Sequence, residues 1–210
     1  TLYDISLRKN STVPVWHDSV EFIEVIDNKD HIIGGFYIDL FARNGKRSGA
    51  WMDECVIKKN LNGNKALPIG YLVCNFTPPD KNGISLLTHD DVVTWFHEFG
   101  HMLHHLLTKI GLPSISGING VPWDAVELPS QFMENFAWNY EVLKDCSKHH
   151  KTEKYLPKEG GIVYDSSAGG GGRLMASICS STDVNYIGCD VNSNIFETDS
   201  YNRIGEFIDE

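Results

Sequence analysis

The stretch His97-Glu98-Phe99-Gly100-His101 constrains this chain more than any other part of its sequence. It lies in a long apolar segment between Thr88 and Gly111, which predicts a helix over about residues 89–109. Histidines four positions apart project from one face of a helix, one turn from each other. Their imidazoles can bind one zinc ion, and Glu98 beside them can polarise a zinc-bound water. The alternative is a pair of core histidines hydrogen-bonded to carbonyls.

A second helix is predicted from about residue 123 to about residue 145, and Glu127 is the candidate third zinc ligand. Pro129 is tolerated only near a helix start, so Glu127 is expected in the first turn. The 25 residues between His101 and Glu127 leave room for a loop that returns to the metal. Two histidines and one glutamate form a catalytic zinc set with one position open for water or substrate. The alternative is a carboxylate that only compensates a helix dipole.

Further polar side chains near the motif are expected to support the ligands. Zinc-binding histidines usually hydrogen-bond a carboxylate or carbonyl through their second nitrogen, and Asp124 or Glu134 is the candidate for this role. His104 and His105 follow the motif at offsets that predict positions next to the ligands or facing solvent.

The residues before the motif predict a small sheet. Residues 20–40 are expected to form a β-hairpin in which Gly34 and Gly35 mark a bulge or a close backbone approach. Residues 69–76 predict another strand, and an edge of this sheet is suited to pairing with an extended peptide. The basic segment 43–51 is interpreted as a solvated turn, with a substrate-contacting loop as the alternative.

The composition is typical of a soluble globular protein, because 41% of the 210 residues are hydrophobic and 22% are charged. The net charge of −10 argues against a nucleic-acid-binding surface over residues 1–150. Five scattered cysteines without a Cys-x-x-Cys pair favour free thiols in a reducing, cytoplasmic compartment. No segment has the length of a membrane span, and the chain does not start with a signal peptide or with Met, which is consistent with a fragment or a processed product.

Several stretches within residues 1 to about 150 resemble the catalytic core of the thimet oligopeptidase family of zinc metallopeptidases, in particular its oligopeptidase A and dipeptidyl carboxypeptidase branch. The stretches are VWH (15–17), GFYIDLFAR (35–43), GKRSGAWMD (45–53), FHEFGH (96–101) and INGVPWDAVELPSQFMEN (118–135). They occur in the same order as in the family. Together they are a far more specific signal than the five-residue motif alone.

This resemblance implies a zinc-dependent endopeptidase that hydrolyses short peptides in a deep, helix-walled channel. By matching positions it gives His97, His101 and Glu127 as zinc ligands and Glu98 as general base for a zinc-activated water. Family members are several times longer than this chain. They place a histidine and several tyrosines that bind substrate and stabilise the oxyanion well after the third ligand, and no matching segment is found beyond Tyr140. The long helical region of the channel is also absent, and missing oxyanion donors reduce rates by orders of magnitude.

The last quarter of the chain has a different character. Residues 148–160 are polar and basic, which predicts a linker. A strand ending in Asp165, a turn containing Gly169 and Gly171, a helix and a second strand ending in Asp190 are predicted next, in the order of a nucleotide-binding α/β fold. This segment resembles the S-adenosylmethionine-binding motif of DNA methyltransferases, which implies these four residues as cofactor-binding. A flexible glycine linker followed by a strand is the alternative.

These observations predict an α+β fold with a mostly helical zincin-type core and a small antiparallel sheet over residues 1–147, a linker at 148–160, and a partial Rossmann-like α/β segment at 161–210. The predicted function is that of a zinc metallopeptidase acting on short peptides, with no membrane partner. The alternatives are a fragment of an S-adenosylmethionine-dependent methyltransferase and an inactive metal-binding fragment.

Overall fold

A computed structural model of the chain describes residues 2–147, 161–165 and 184–188. The chain divides into two units, residues 1–146 and residues 147–210. The strands of the first unit are β1 (Ile5–Lys9), β2 (Glu21–Asp27), β3 (Ile32–Phe41), β4 (Trp51–Val56), β5 (Lys59–Leu61), β6 (Asn64–Ala66) and β7 (Ile69–Phe76). Its α-helices are α1 (His89–Leu106), α2 (Leu128–Glu134) and α3 (Tyr140–Cys146), with short 3-10 helices at Pro113–Ile115 and Asn135–Trp138. Strands and helices therefore take up similar shares of residues 2–147, so these residues do not form the mostly helical core that was expected.

Five strands form one mixed sheet in the order β1-β2-β3-β7-β4, and β5 pairs with β6 in a separate hairpin. The predicted hairpin is present as β2 and β3, and the predicted strand at 69–76 is β7. The expectation of an antiparallel sheet is wrong, because β3 and β7 run parallel. The side-chain pattern of a strand shows which face is buried but not which neighbour it pairs with, so the sequence did not reveal this crossover.

Gly34 and Gly35 mark a close backbone approach in β3. A Cβ atom on Gly35 would lie 2.5 Å from Cζ of Phe22, and one on Gly34 would lie 2.9 Å from the carbonyl oxygen of Pro68. The register of the hairpin also shifts in the partner strand, between Val25 and Ile26. Any side chain at Gly34 would push the chain away from its neighbours.

Helix α1 is fixed at its start and along its apolar face. Thr88 and Asp91 form a capping box, in which each side chain accepts a hydrogen bond from the backbone of the other. Met102 and Leu106 are buried against the sheet. Gly70 in β7 makes room for Met102, because a Cβ atom there would lie 2.6 Å from the Met102 sulfur. The helix that carries the histidine motif is thus anchored on the sheet.

The predicted second helix is broken into three pieces, and this corrects the expectation of one helix to residue 145. Helix α2 passes into a 3-10 helix, and Asn139 then adopts an extended conformation. The Asn139 side chain accepts hydrogen bonds from the backbone N–H groups of Glu141 and Val142 at 3.0 and 3.3 Å. It therefore begins α3 as an N-cap residue. Glu127 is the N-cap residue of α2 rather than a member of its first turn.

The basic loop after β3 is only partly the solvated turn that was expected, because Asn44, Gly45 and residues 47–49 are exposed while Lys46 is held inside. The Lys46 ammonium is buried and donates hydrogen bonds to the Asp39 carboxylate and to the carbonyls of Asp39, Phe41 and Cys74. Arg43 binds the same carboxylate through two N–H groups, at 2.6 and 2.9 Å. Burial raises the pKa of Asp39, but the hydrogen bonds from Arg43 and Lys46 outweigh it and leave the pKa below its ordinary value. Two cations around one buried carboxylate explain why these basic residues stand together.

In the second unit, strands β8 (Gly161–Asp165) and β9 (Val184–Gly188) run parallel and pair in register. The predicted linker, the glycine-rich turn and the helix between the two strands lie outside the described residues. The partial Rossmann-like fold therefore stays a prediction. Within the described part of the chain, no helix is long and apolar enough to cross a membrane.

Candidate metal centre

The structure brings His97, His101 and Glu127 together at one point. The two histidines lie one turn apart on α1, with ring centroids 5.0 Å from each other. Nε2 of His97 lies 3.2 Å from Oε2 of Glu127, and Nε2 of His101 lies 3.0 Å from the same oxygen. Among the described residues, this is the only group of three or more His, Cys, Asp or Glu side chains that could hold a metal ion.

The position of Glu127 follows from close packing between α1 and α2. A Cβ atom on Gly100 would lie 2.6 Å from both the Pro129 carbonyl oxygen and the Ser130 Cα atom. Only glycine at this point of α1 allows the start of α2 to approach so closely. The buried Ser130 hydroxyl lies 2.7 Å from Oε2 of Glu127 and fixes its side chain. This hydrogen bond is the largest cause of a lowered pKa of Glu127, so the group stays ionised.

Glu134 decides which nitrogen of His97 faces Glu127. Oε1 of Glu134 lies 2.6 Å from Nδ1 of His97. An ionised carboxylate only accepts hydrogen bonds, so Nδ1 carries a proton and Nε2 is the nitrogen available to bind a metal. Asp124, the other candidate for this role, lies exposed in the turn before α2, and among the described residues the carboxylates paired with the two histidines are those of Glu127 and Glu134.

The three atoms fit a zinc ion. With zinc–nitrogen and zinc–oxygen distances of about 2.0–2.1 Å, tetrahedral ligand atoms stand about 3.3 Å apart. The distances from Glu127 to the two histidine nitrogens are close to this value. Nε2 of a neutral His97 and Oε2 of Glu127 are both hydrogen-bond acceptors. Two acceptors this close are held together only by a cation or a proton between them. Burial lowers the pKa of His101, which keeps its imidazole neutral and able to bind a metal.

Glu98 lies beside these groups without joining them. Its side chain is buried, and burial raises its pKa, while the neighbouring His97 and a hydrogen bond from the backbone N–H of Met52 act in the opposite direction. Met52 lies on β4, one of the two edge strands of the sheet. A buried carboxylate with a raised pKa next to a metal site has the properties of a general base.

The two histidines that follow the motif on α1, His104 and His105, have different surroundings. His105 is buried, with Nε2 at 3.1 Å from the carbonyl oxygens of both Val56 and Ile69, so it joins the helix to the sheet. The expectation that His105 supports the ligands or faces solvent is wrong, because the sheet covers this side of α1. His104 is half-buried and lines a groove between α1 and α2.

Of the four residues proposed to bind S-adenosylmethionine, the structure describes only Asp165, which is the last residue of β8. Gly169, Gly171 and Asp190 lie outside the described residues. The cofactor site therefore stays a prediction.

Three contributors to the metal centre escaped the sequence analysis, namely Gly100, Ser130 and the backbone amide of Met52. A glycine inside a buried helix and a small residue directly after Pro129 were available signals of close helix packing. The amide of Met52 has no signal in the sequence, because its role depends on which strand forms the edge of the sheet.

A helix that carries His-Glu-x-x-His, followed by a glutamate at the start of a second helix, is the arrangement typical of metallopeptidases. The profile of Peptidase family M3 matches residues 1–191, and the chain belongs to this family. The match continues past Tyr140, where the sequence analysis found no further resemblance, and runs through most of the segment compared there with methyltransferases. The S-adenosylmethionine interpretation gains no support from it.

Individual relatives give the same result. The chain is 51% identical to Oligopeptidase A of Escherichia coli over 159 residues. This matched stretch covers 75% of this chain and 23% of that protein. It is 43% identical over 165 residues to the Organellar oligopeptidase A, chloroplastic/mitochondrial, of Arabidopsis thaliana, covering 76% and 21%. With the Dipeptidyl carboxypeptidase of Escherichia coli it shares 38% identity over 158 residues, covering 75% and 23%. The chain thus spans less than a quarter of the length of these relatives.

Proposed function

We propose that this chain carries the catalytic zinc site of an oligopeptidase that hydrolyses peptide bonds in short peptides. One observation carries the proposal: His97, His101 and Glu127 converge on one point, and the buried Glu98 lies beside them. Membership of Peptidase family M3 and the names of the relatives support it. The free thiols of the described cysteines, and the name of a relative from Arabidopsis thaliana, "Probable cytosolic oligopeptidase A", support a cytoplasmic location.

The residues of the site have separate roles in holding the metal. His97 and His101 each offer a ring nitrogen, and Glu127 adds the negative charge. Glu134 orients His97, and Ser130 orients Glu127. When bound, zinc supplies a Lewis acid that polarises a carbonyl and makes a bound water more acidic. Three protein ligands leave a fourth position for water or substrate, as in catalytic zinc sites.

Glu98 is suited to transferring a proton during peptide hydrolysis. It follows His97 directly, so it points about 100° around the helix from that ligand and does not complete the ligand set. Its buried carboxylate takes a proton from the attacking water and gives it to the leaving amine. Burial keeps the pKa of Glu98 raised, which makes proton uptake easier than for an exposed glutamate.

Cleavage of an internally quenched short peptide by the zinc-loaded chain tests the proposal. We expect cleavage by the wild-type chain and its loss in Glu98→Gln, with the zinc content unchanged. The glutamine keeps a carbonyl oxygen to accept the Met52 N–H but cannot take up a proton. Zinc binding without any cleavage by the wild-type chain would contradict the peptidase proposal and support an inactive metal-binding fragment.

A further inference from the structure

Arg47 is a cation in the loop between β3 and β4 whose charge has no counterpart in the fold. Its neighbours Arg43 and Lys46 both bind the Asp39 carboxylate, whereas Arg47 is exposed. Among the described residues, no carboxylate lies within ion-pair distance of its guanidinium. Residues 39–51 carry three positive charges and one negative charge, in a chain whose net charge is −10. The loop is therefore a local positive region on an acidic chain.

The loop holds Arg47 in place. On one side, the buried ammonium of Lys46 fixes the backbone through its hydrogen bonds to three carbonyls. On the other side, the Asn75 amide donates hydrogen bonds to the carbonyl oxygens of Arg47 and Gly49, at 2.8 and 2.7 Å. The guanidinium carbon of Arg47 lies 5.3 Å from the centre of the Trp51 ring. Packing over a ring face steadies a guanidinium and leaves the N–H groups in its plane available for a ligand.

Arg47 also lies near the candidate metal centre. Trp51 directly precedes Met52, whose backbone N–H donates a hydrogen bond to Glu98. Bond lengths along this path limit the separation between the Arg47 guanidinium and the Glu98 carboxylate to about 16 Å. An extended peptide covers that distance with about five residues. A short peptide whose cleaved bond lies at Glu98 can therefore reach Arg47 with a group on one side of that bond.

We propose that Arg47 is a specificity-determining residue that binds a carboxylate group of the peptide substrate. The inference rests on the proposed peptidase function and adds a substrate preference to it. A guanidinium presents parallel N–H donors that match the two oxygens of a carboxylate. The carboxylate is either the C-terminus of the peptide or an acidic side chain. The basic loop thus has two roles, since Arg43 and Lys46 fix its fold and Arg47 binds substrate.

Three sets of matched, internally quenched peptides test the proposal on the zinc-loaded full chain. The first has a free C-terminal carboxylate, the second has a C-terminal amide and no acidic side chain, and the third is the amide with one glutamate placed at each position in turn. The proteins are the wild type, Arg47→Gln and Arg47→Lys. Lys65→Gln is the matched control, because it removes one exposed positive charge from β6, outside the five-stranded sheet.

We expect Arg47→Gln to raise KM about 10-fold for the peptides whose carboxylate it binds, with kcat nearly unchanged, because a charge-assisted contact to a part of the substrate remote from the cleaved bond is lost. A rise for the free acid identifies the C-terminus as the ligand, and a rise for one glutamate peptide identifies a side chain. The neutral amide should show no change. Arg47→Lys keeps the charge but not the paired donors and should lose less, and Lys65→Gln should match the wild type.

Equal changes for charged and neutral peptides, or no change for any, would overturn the proposal, since Arg47 would then only support the loop or face solvent. A binding measurement separates this result from failure of the peptidase proposal. Fluorescence anisotropy of labelled peptides with the zinc-loaded Glu98→Gln chain gives Kd without turnover. If the wild type cleaves nothing but adding Arg47→Gln still raises Kd about 10-fold for a carboxylate peptide alone, the role of Arg47 stands and the peptidase proposal fails. An unchanged Kd, or no binding of any peptide, would overturn the role of Arg47.

Discussion

Glu134 lies 2.6 Å from Nδ1 of His97, and this contact directs the opposite nitrogen of the histidine toward Glu127. The three residues come from two helices and are separated by up to 37 positions in the chain. Their contacts run from the orienting carboxylate of Glu134 through the His97 ring to the Glu127 carboxylate. These contacts fix the orientation of the His97 ring toward Glu127.

Removing the orienting carboxylate should weaken zinc binding without unfolding the protein. We expect Glu134→Ala to lower zinc affinity about 10- to 100-fold, because His97 loses the partner that fixes its tautomer and ring orientation. Glu134→Gln keeps an acceptor oxygen and should lose less. Competition with a chromophoric chelator measures the affinity. Asp124→Ala serves as the control, and an equal loss in that variant would contradict the role assigned to Glu134.

Gly100 should be intolerant of any side chain. In Gly100→Ala the new methyl group meets backbone atoms of Pro129 and Ser130 at 2.6 Å, and backbone atoms cannot turn aside as a side chain can. We expect a loss of about 1–3 kcal/mol in the free energy of unfolding and a weaker zinc site, because α2 carries Glu127. Urea unfolding of the metal-free protein and chelator competition measure the two effects. Unchanged values in both would show that the helices do not need this close approach.

The cluster around Asp39 should make part of the stability depend on pH. Its pKa is lowered in the folded protein, so the stabilisation is fully present above the ordinary pKa of aspartate, about 3.9, and is lost as the pH falls through the folded-state pKa. Asp39→Asn leaves the buried Lys46 without its carboxylate, which we expect to cost about 3–5 kcal/mol at pH 7.

Urea unfolding of the wild-type chain and of Asp39→Asn between pH 7 and pH 2.5 checks this prediction. The difference between the two proteins should be large at neutral pH and should shrink in acid, where protonation of Asp39 removes the same interaction from the wild type. A difference that stays constant over this range would show that the charge of Asp39 contributes nothing. Lys46→Met combined with Asp39→Asn removes both charges and should recover part of the loss.

Local patterns predicted the parts of the fold that depend on neighbours in sequence. The apolar spacing and the capping residues around Thr88 predicted α1 to within three residues at its end. Alternation and turn residues predicted β2, β3 and β7. The cap at Asn139 was also a local signal, and overlooking it merged α2 and α3 into one predicted helix.

Features that depend on contacts between segments far apart in the sequence could not be predicted from local patterns. The parallel contact joins β3 and β7, which are separated in the sequence by β4, β5 and β6. The buried contact of Lys46 with the Cys74 carbonyl depends on the same crossover. At the metal centre, residue types and spacing indicated the ligands, but the choice between Asp124 and Glu134 depended on how α2 lies against α1.

Zinc stoichiometry tests the central claim most directly. Elemental analysis after dialysis would compare the wild-type chain with Glu127→Ala, and circular dichroism would confirm that both are folded. The account predicts close to one zinc ion per wild-type chain and a large loss in the variant, because the third ligand and its charge are gone. A folded wild-type chain without zinc, or equal zinc in both proteins, would contradict the metal centre formed by His97, His101 and Glu127.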